Sequence, residues 1–150
     1  MNDFESNLNS ILVDTFNYIL KYEERSLRDF LSVPITITEA HMIEAIGKHE
    51  NQEITVGKLA SHLSISMPTT TVAIKKLESK GFVQKSPCDH DARRIIIRLT
   101  KMGNKVEKAH RLFHERMVKN ISRQFDKTEK EVLLRAVYKL GDFFRVKVEM

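Results

Sequence analysis

The run from Ser66 to Lys76, SMPTTTVAIKK, gathers side chains that can meet a nucleic acid. Ser66, Thr69 and Thr71 bring small hydroxyls, Lys75 and Lys76 bring ammonium groups, and Met67 and Val72 bring apolar surface. Ser66 is placed to cap a helix, and Pro68 suits its first turn, where a missing N–H breaks no bond. A helix beginning there turns hydroxyls and backbone amides toward bases and phosphates while the lysines neutralise phosphate charge. That face holds no Arg, Asn or Gln, so two-pronged reading of base edges is scarce. Met67, Thr69 and Thr71 are left to touch thymine methyls or base edges, and DNA shape must supply part of the discrimination. The opposite face carries Thr70, Ile74 and Leu77, three and four residues apart, a stripe for burial.

Around this helix the chain supplies supporting elements. Upstream, Val56, Leu59, Ala60 and Leu63 give a short helix one apolar side, Thr55 is its candidate cap, and Ser64-Ile65-Ser66 forms the break between the two helices. Downstream, Gly81 provides the stop, since glycine takes a left-handed backbone without steric cost. Phe82–Lys85 and Arg94–Leu99 read as two strands joined by Ser-Pro-Cys-Asp-His-Asp-Ala-Arg, too long and charged for a tight turn. This layout is a winged helix-turn-helix, in which the second helix docks in the major groove of duplex DNA. Arg93, in the wing, is the candidate for insertion into a narrow minor groove; Asp91 is placed to hold it, and Arg94 adjoins it. From Ser66 to Lys105 there are nine Lys or Arg against three Asp or Glu, so the net charge of +5 is concentrated in this reading surface.

At 150 residues the chain is one domain, 1–150, with no linker, repeat or low-complexity segment. The single cysteine, Cys88, excludes an internal disulfide. No signal peptide or membrane-length apolar run is recognisable, so a cytoplasmic protein without membrane association is expected. The fold class expected is mainly α with a small β-wing: a winged lobe over 35–100, flanked by a helical dimerisation region over 1–31 and 104–150. The first helix, Asn7 to Leu31, carries Leu8, Ile11, Leu12, Phe16, Ile19, Leu20, Leu27 and Phe30 at helical intervals. Thr38 is the expected cap of the next helix, which bears Met42, Ile43 and Ile46 and is followed by a polar loop, His49 to Glu53. After Thr100 a long helix runs to about Arg123. Asp126 and Glu129 then have capping-box spacing ahead of a last helix bearing Val132, Leu133, Val137, Leu140, Phe143, Phe144 and Val148. That apolar face is too wide for the small lobe to cover, which points to a second copy and an isologous homodimer. Two reading helices about 34–36 Å apart then require a pseudopalindromic site.

Three stretches carry a family resemblance: LAxxLxISxP from Leu59 to Pro68, LExKGFV from Leu77 to Val83, and DxRxxxIxLTxxG from Asp91 to Gly103. In order and spacing they resemble the MarR family of bacterial transcription regulators. The resemblance implies a two-fold dimer, major-groove reading by the helix from Ser66, and a minor-groove role for Arg93 of the Asp91-Ala-Arg93 motif. Phe16-Asn17, Glu23-Glu24, Leu27-Arg28, Glu39, His41, Ile46-Gly47-Lys48 and His110-x-x-Phe113-His114-x-x-Met117 look more narrowly like the FabT-type branch, which represses fatty-acid synthesis in Gram-positive bacteria. That likeness implies a long acyl chain on acyl carrier protein as corepressor, lying between the first helix and the helix after the wing. Phe16, Ile19, Leu20, Phe113 and Met117 are the candidate lining residues, although apolar residues at helical spacing also make ordinary core. Lys58, Arg111 and Lys119 are candidates for docking the acidic carrier.

Other chemistries remain open. His110 and His114 lie four apart, a spacing that lets both imidazoles bind one metal, and Glu23 or Glu24 with His41 would complete four ligands if their helices converge. Zinc-sensing members of the same family place Glu and His ligands comparably. Cys88, with Lys85 and Arg93 near in sequence, is a candidate redox switch. Catalysis has little support: His90 between Asp89 and Asp91 has no matching nucleophile, and no phosphate-cradling glycine pattern occurs. A winged-helix adaptor that binds only protein is the remaining rival, distinguished by indifference to duplex DNA at any salt.

Overall fold

A computed structural model describes residues 1–49 and 53–149. The loop expected between His49 and Glu53 therefore lies largely outside the described residues. The chain forms two compact units, Met1–Phe113 and His114–Met150. The helices are α1 (Asp3–Leu31), α2 (Ile37–Lys48), α3 (Val56–Leu63), α4 (Met67–Ser79), α5 (Lys101–Ser122) and α6 (Lys127–Glu149), with strands β1 (Val83–Pro87) and β2 (Ile95–Leu99) between α4 and α5. No described helix is long and apolar enough to cross a membrane.

In the first unit the core is one cluster that joins Leu27 and Leu31 of α1, Ile43 and Ile46 of α2, Leu59 of α3, Ile74 and Leu77 of α4, Val83 and Ile97 of the hairpin, and Val106 and Ala109 of α5. The stripe expected on α4 is buried in full: Thr70, Ile74 and Leu77 all face this cluster or lie beneath the helix. Caps set the ends of the helices. Thr55 accepts from the Lys58 amide at 3.2 Å and Ser66 from the Thr69 amide at 3.2 Å, as their positions ahead of the apolar runs imply.

Three expectations are corrected. Helix α1 starts four residues earlier than the apolar spacing suggested, because Asn2 and Glu5 form a reciprocal capping box. Helix α2 is capped by Thr36, not Thr38: its hydroxyl accepts from the Glu39 amide at 3.2 Å while the Glu39 carboxylate accepts from the Thr36 amide at 3.0 Å. Strand β1 begins at Val83 and continues to Pro87, paired with Ile95 at the end of the antiparallel ladder, where proline's missing N–H is tolerated. The wing tip is accordingly shorter, Cys88 to Arg94, and closed by the Cys88 amide bonding to the Arg94 carbonyl at 2.8 Å.

Gly81 has φ +79°, the left-handed turn expected of it. The chain after it is tied to the start of α5: Thr100 bonds through its hydroxyl to the Gly81 carbonyl at 2.6 Å and through its amide to the Phe82 carbonyl at 3.0 Å. Gly103, one turn into α5, is so close that a Cβ there would lie 2.0 Å from the Phe82 carbonyl oxygen. Glycine is thus required by contact at this point. The turn after α4 and the beginning of α5 are tied together by direct contacts.

In the second unit Asp126 and Glu129 form the anticipated capping box, with bonds of 2.8 and 2.9 Å. Helix α6 has no buried residue. Val132, Leu134, Val137, Phe143 and Phe144 of its apolar face all stand exposed.

Candidate nucleic-acid interface

Helix α4 is anchored by one face and free on the other. Thr70 is buried and its hydroxyl donates to the Ser66 carbonyl at 2.9 Å, which fastens the N-terminal turn from below. Opposite it, Met67, Pro68, Thr69, Val72, Lys75 and Lys76 are exposed and Thr71 is half-buried. Val72 at 68 % and Met67 at 55 % exposure are apolar side chains that water covers and a thymine methyl would fit. The Thr71 hydroxyl donates back to the Met67 carbonyl at 2.9 Å, and the Ser66 and Thr69 hydroxyls are 2.8 Å apart. These bonds fix the side chains and leave the methyl groups of the threonines as their outward features.

In the wing, Asp91, Arg93 and Arg94 are exposed. The Asp91 carboxylate does not take the Arg93 guanidinium as expected; it accepts from the Arg93 backbone amide at 3.0 Å. Asp91 therefore shapes the loop under Arg93 and leaves its charged end for another partner. Arg94 comes within 4.0 Å of Glu53. Cys88 is buried beneath the tip, which shuts its thiol off from dissolved oxidants and removes the ground for a redox switch. His90 and Asp89 are exposed on the same tip.

Of the proposed metal ligands, Glu23, His41 and His110 come together, with one ligand atom of each lying within 4.8 Å of the others. Glu23 is 2 % exposed and contacts the Nε2 of His110, and His41 Nε2 lies 3.2 Å from the same Glu23 oxygen. Glu24 turns away to bond Arg28 at 2.9 Å, so adjacent carboxylates on α1 have separate roles. His114 falls in the second unit. Sequence reading missed Glu44, whose carboxylate is 3.1 Å from His110 Nδ1. The signal for it is slight, a carboxylate three residues after His41 on the face of α2 that meets α5.

The candidate acyl-lining residues do not share one environment. Phe113 is buried and meets Tyr22 edge to face, with ring centroids 5.1 Å apart. Leu20 is half-buried, whereas Phe16 and Ile19 are exposed on α1. Met117 belongs to the second unit.

Comparison with known proteins agrees with this geometry. A profile described as MarR family matches residues 35–95. The solved structure of Streptococcus pneumoniae FabT in complex with DNA has a TM-score of 0.86 and 29 % identity, covering 94 % of this chain and 97 % of that one. Streptococcus pneumoniae AdcR, a transcriptional regulator, is 28 % identical over 69 % of this chain and 70 % of its own length. Bacillus subtilis YhjH, described as an uncharacterized HTH-type transcriptional regulator, is 27 % identical over 66 % of this chain, which spans 56 % of that protein.

Proposed function

We propose that the chain is a MarR-type winged helix regulator that binds duplex DNA as a cytoplasmic homodimeric repressor on a pseudopalindromic operator. The observation that carries this reading is the free face of α4, apolar and cationic at once, on a lobe whose fold matches FabT bound to DNA. Met67, Thr69, Thr71 and Val72 read methyls and base edges, Ser66 and Pro68 set the helix start against the backbone, and Lys75 holds phosphate. Arg93 enters the minor groove from the wing, with Arg94 beside it and Asp91 shaping the tip. The exposed faces of α1 and α6 receive the second copy.

Fatty-acid synthesis genes are the targets favoured by the FabT likeness, with acyl-acyl carrier protein as corepressor and Phe16, Ile19, Leu20, Phe113 and Met117 as candidate contacts. A second reading, a zinc-responsive regulator, is favoured by Glu23, His41 and His110. Two imidazoles and a carboxylate are a suitable donor set, and the 3.2 Å between His41 Nε2 and the Glu23 oxygen suits two corners of a tetrahedral site. Glu44 on the far nitrogen of His110 would fix that ring, as outer partners of metal-bound histidines do.

Binding to a random-sequence duplex library over a range of salt tests the DNA reading. Affinity that falls steeply with salt and enriches a two-fold sequence is the expected outcome; indifference to duplex at low salt favours the protein adaptor. Native mass spectrometry of protein taken directly from cells separates the effectors, since a bound acyl species and a bound zinc ion add different masses.

A further inference from the structure

Lys76 and Lys80 are part of the cationic surface of the α4 segment, yet both turn to one carboxylate. Lys80 Nζ donates to the two Glu39 oxygens at 2.8 and 2.9 Å and to the Pro34 carbonyl at 3.4 Å, and Lys76 Nζ lies 3.3 Å from Glu39 Oε1. Glu39 is itself held by the Thr36 cap, and its side chain is 8 % exposed. Burial pushes the Glu39 carboxyl up, but the Lys80 bonds, the Thr36 amide and the nearby Lys80 and Lys76 charges outweigh it and keep its pKa below the usual carboxylate value. The pair of ammonium groups is therefore opposed by a fixed negative charge. Lys76, its side chain 59 % exposed, lines a cavity of about 320 Å³ together with Met42, Ala73 and Leu77.

We propose that Glu39 is an affinity-limiting residue of the reading surface: by engaging Lys76 and Lys80 it withholds them from phosphate and holds down attraction that any duplex would feel equally. This inference rests on the DNA-binding reading. It reassigns Lys76, which its place on the outer face of α4 had marked for phosphate. Lys75, next to it, is left as the lysine that meets the backbone. Since phosphate contacts strengthen binding without regard to sequence, each lysine withheld lowers the affinity for operator and bulk DNA by a similar factor and makes both less dependent on salt.

The test is a two-by-two set: the unaltered protein, Glu39→Gln, Lys76→Ala and the double variant. Each is titrated against a duplex selected by the unaltered protein and a scrambled duplex of equal composition, at several salt concentrations. Gln keeps an oxygen for the Thr36 amide and loses the charge. We expect Glu39→Gln to steepen the salt slope by about 0.9 for each lysine freed, and to tighten the selected and the scrambled duplex by a similar factor. Lys76→Ala should leave the slope of the unaltered protein nearly unchanged and remove about one unit in the Gln background. A full unit lost from the unaltered protein on Lys76→Ala overturns the proposal, and that arm serves even if Glu39→Gln proves unfolded by circular dichroism. An unchanged slope and unchanged affinity on both duplexes for a folded Glu39→Gln also overturn it. Failure of the unaltered protein to bind either duplex removes the DNA reading, and the proposal with it, and is told apart by that control.

Discussion

The winged lobe and helix α6 use the same apolar residue types to opposite ends. In the lobe Ile43, Ile46, Leu59 and Ile74 are fully buried among helices α1 to α5 and the hairpin. On α6, Val132, Val137, Phe143 and Phe144 are about half exposed or more, and no residue of the helix is buried. A monomer that shows water several aromatic and aliphatic side chains along a helix of 23 residues carries a patch of the kind that marks an interaction surface. The difference teaches that the lobe folds on contacts supplied by its own chain, whereas the α6 surface is left exposed for the partner proposed for it. A second copy is the occupant proposed above.

The comparison breaks most completely if α6 is not an interface. Phe144→Asp should give monomers in sedimentation, together with a loss of duplex affinity of about 10²-fold or more, since two linked reading units gain at least that much over one. Persistence of the dimer would place the interface elsewhere. Two helical glycines sharpen the contrast. Gly103→Ala drives a Cβ against the Phe82 carbonyl and should destabilise the first unit by about 1–3 kcal/mol in denaturant melts. Gly141 of α6 has nothing within 4 Å of its Cβ position, so Gly141→Ala should stabilise by about 0.5–1 kcal/mol through helix propensity. The reverse order of these two effects would contradict the assignment of crowded and open helix faces.

The smallest effect concerns pH. The Glu39 carboxyl titrates below its usual value in the folded protein, so its contribution is complete above the unfolded-state value of about 4.3 and disappears as pH falls through the lower folded one. Denaturant midpoints of the unaltered protein and Glu39→Gln should therefore differ at neutral pH and converge in acid. A constant gap would mean that Glu39 acts through shape alone.

Much of the lobe was legible because its signals are local. The stripe of Thr70, Ile74 and Leu77, the caps at Thr55, Ser66 and Asp126, and the left-handed Gly81 each follow from neighbours within one or two turns. The cap of α2 shows where local reading slipped. Thr38 lies inside the first turn of the helix, whereas Thr36 precedes it and stands three residues before Glu39, the spacing a capping box needs. Lys76, for which another role is proposed above, shows a second limit of local reading. Helical periodicity puts it on the outer face correctly, and nothing in its own helix announces a carboxylate 37 positions away on α2. Glu44 and the parting of Glu23 from Glu24 are of this long-range kind as well. Such pairings exist only after the helices have packed.

Sedimentation velocity of the protein alone and with an equimolar operator-length duplex tests the account most directly. A dimer at micromolar concentration that carries the duplex with it, two chains to one DNA, is the predicted result. A monomer that leaves the duplex sedimenting free in low salt would contradict it.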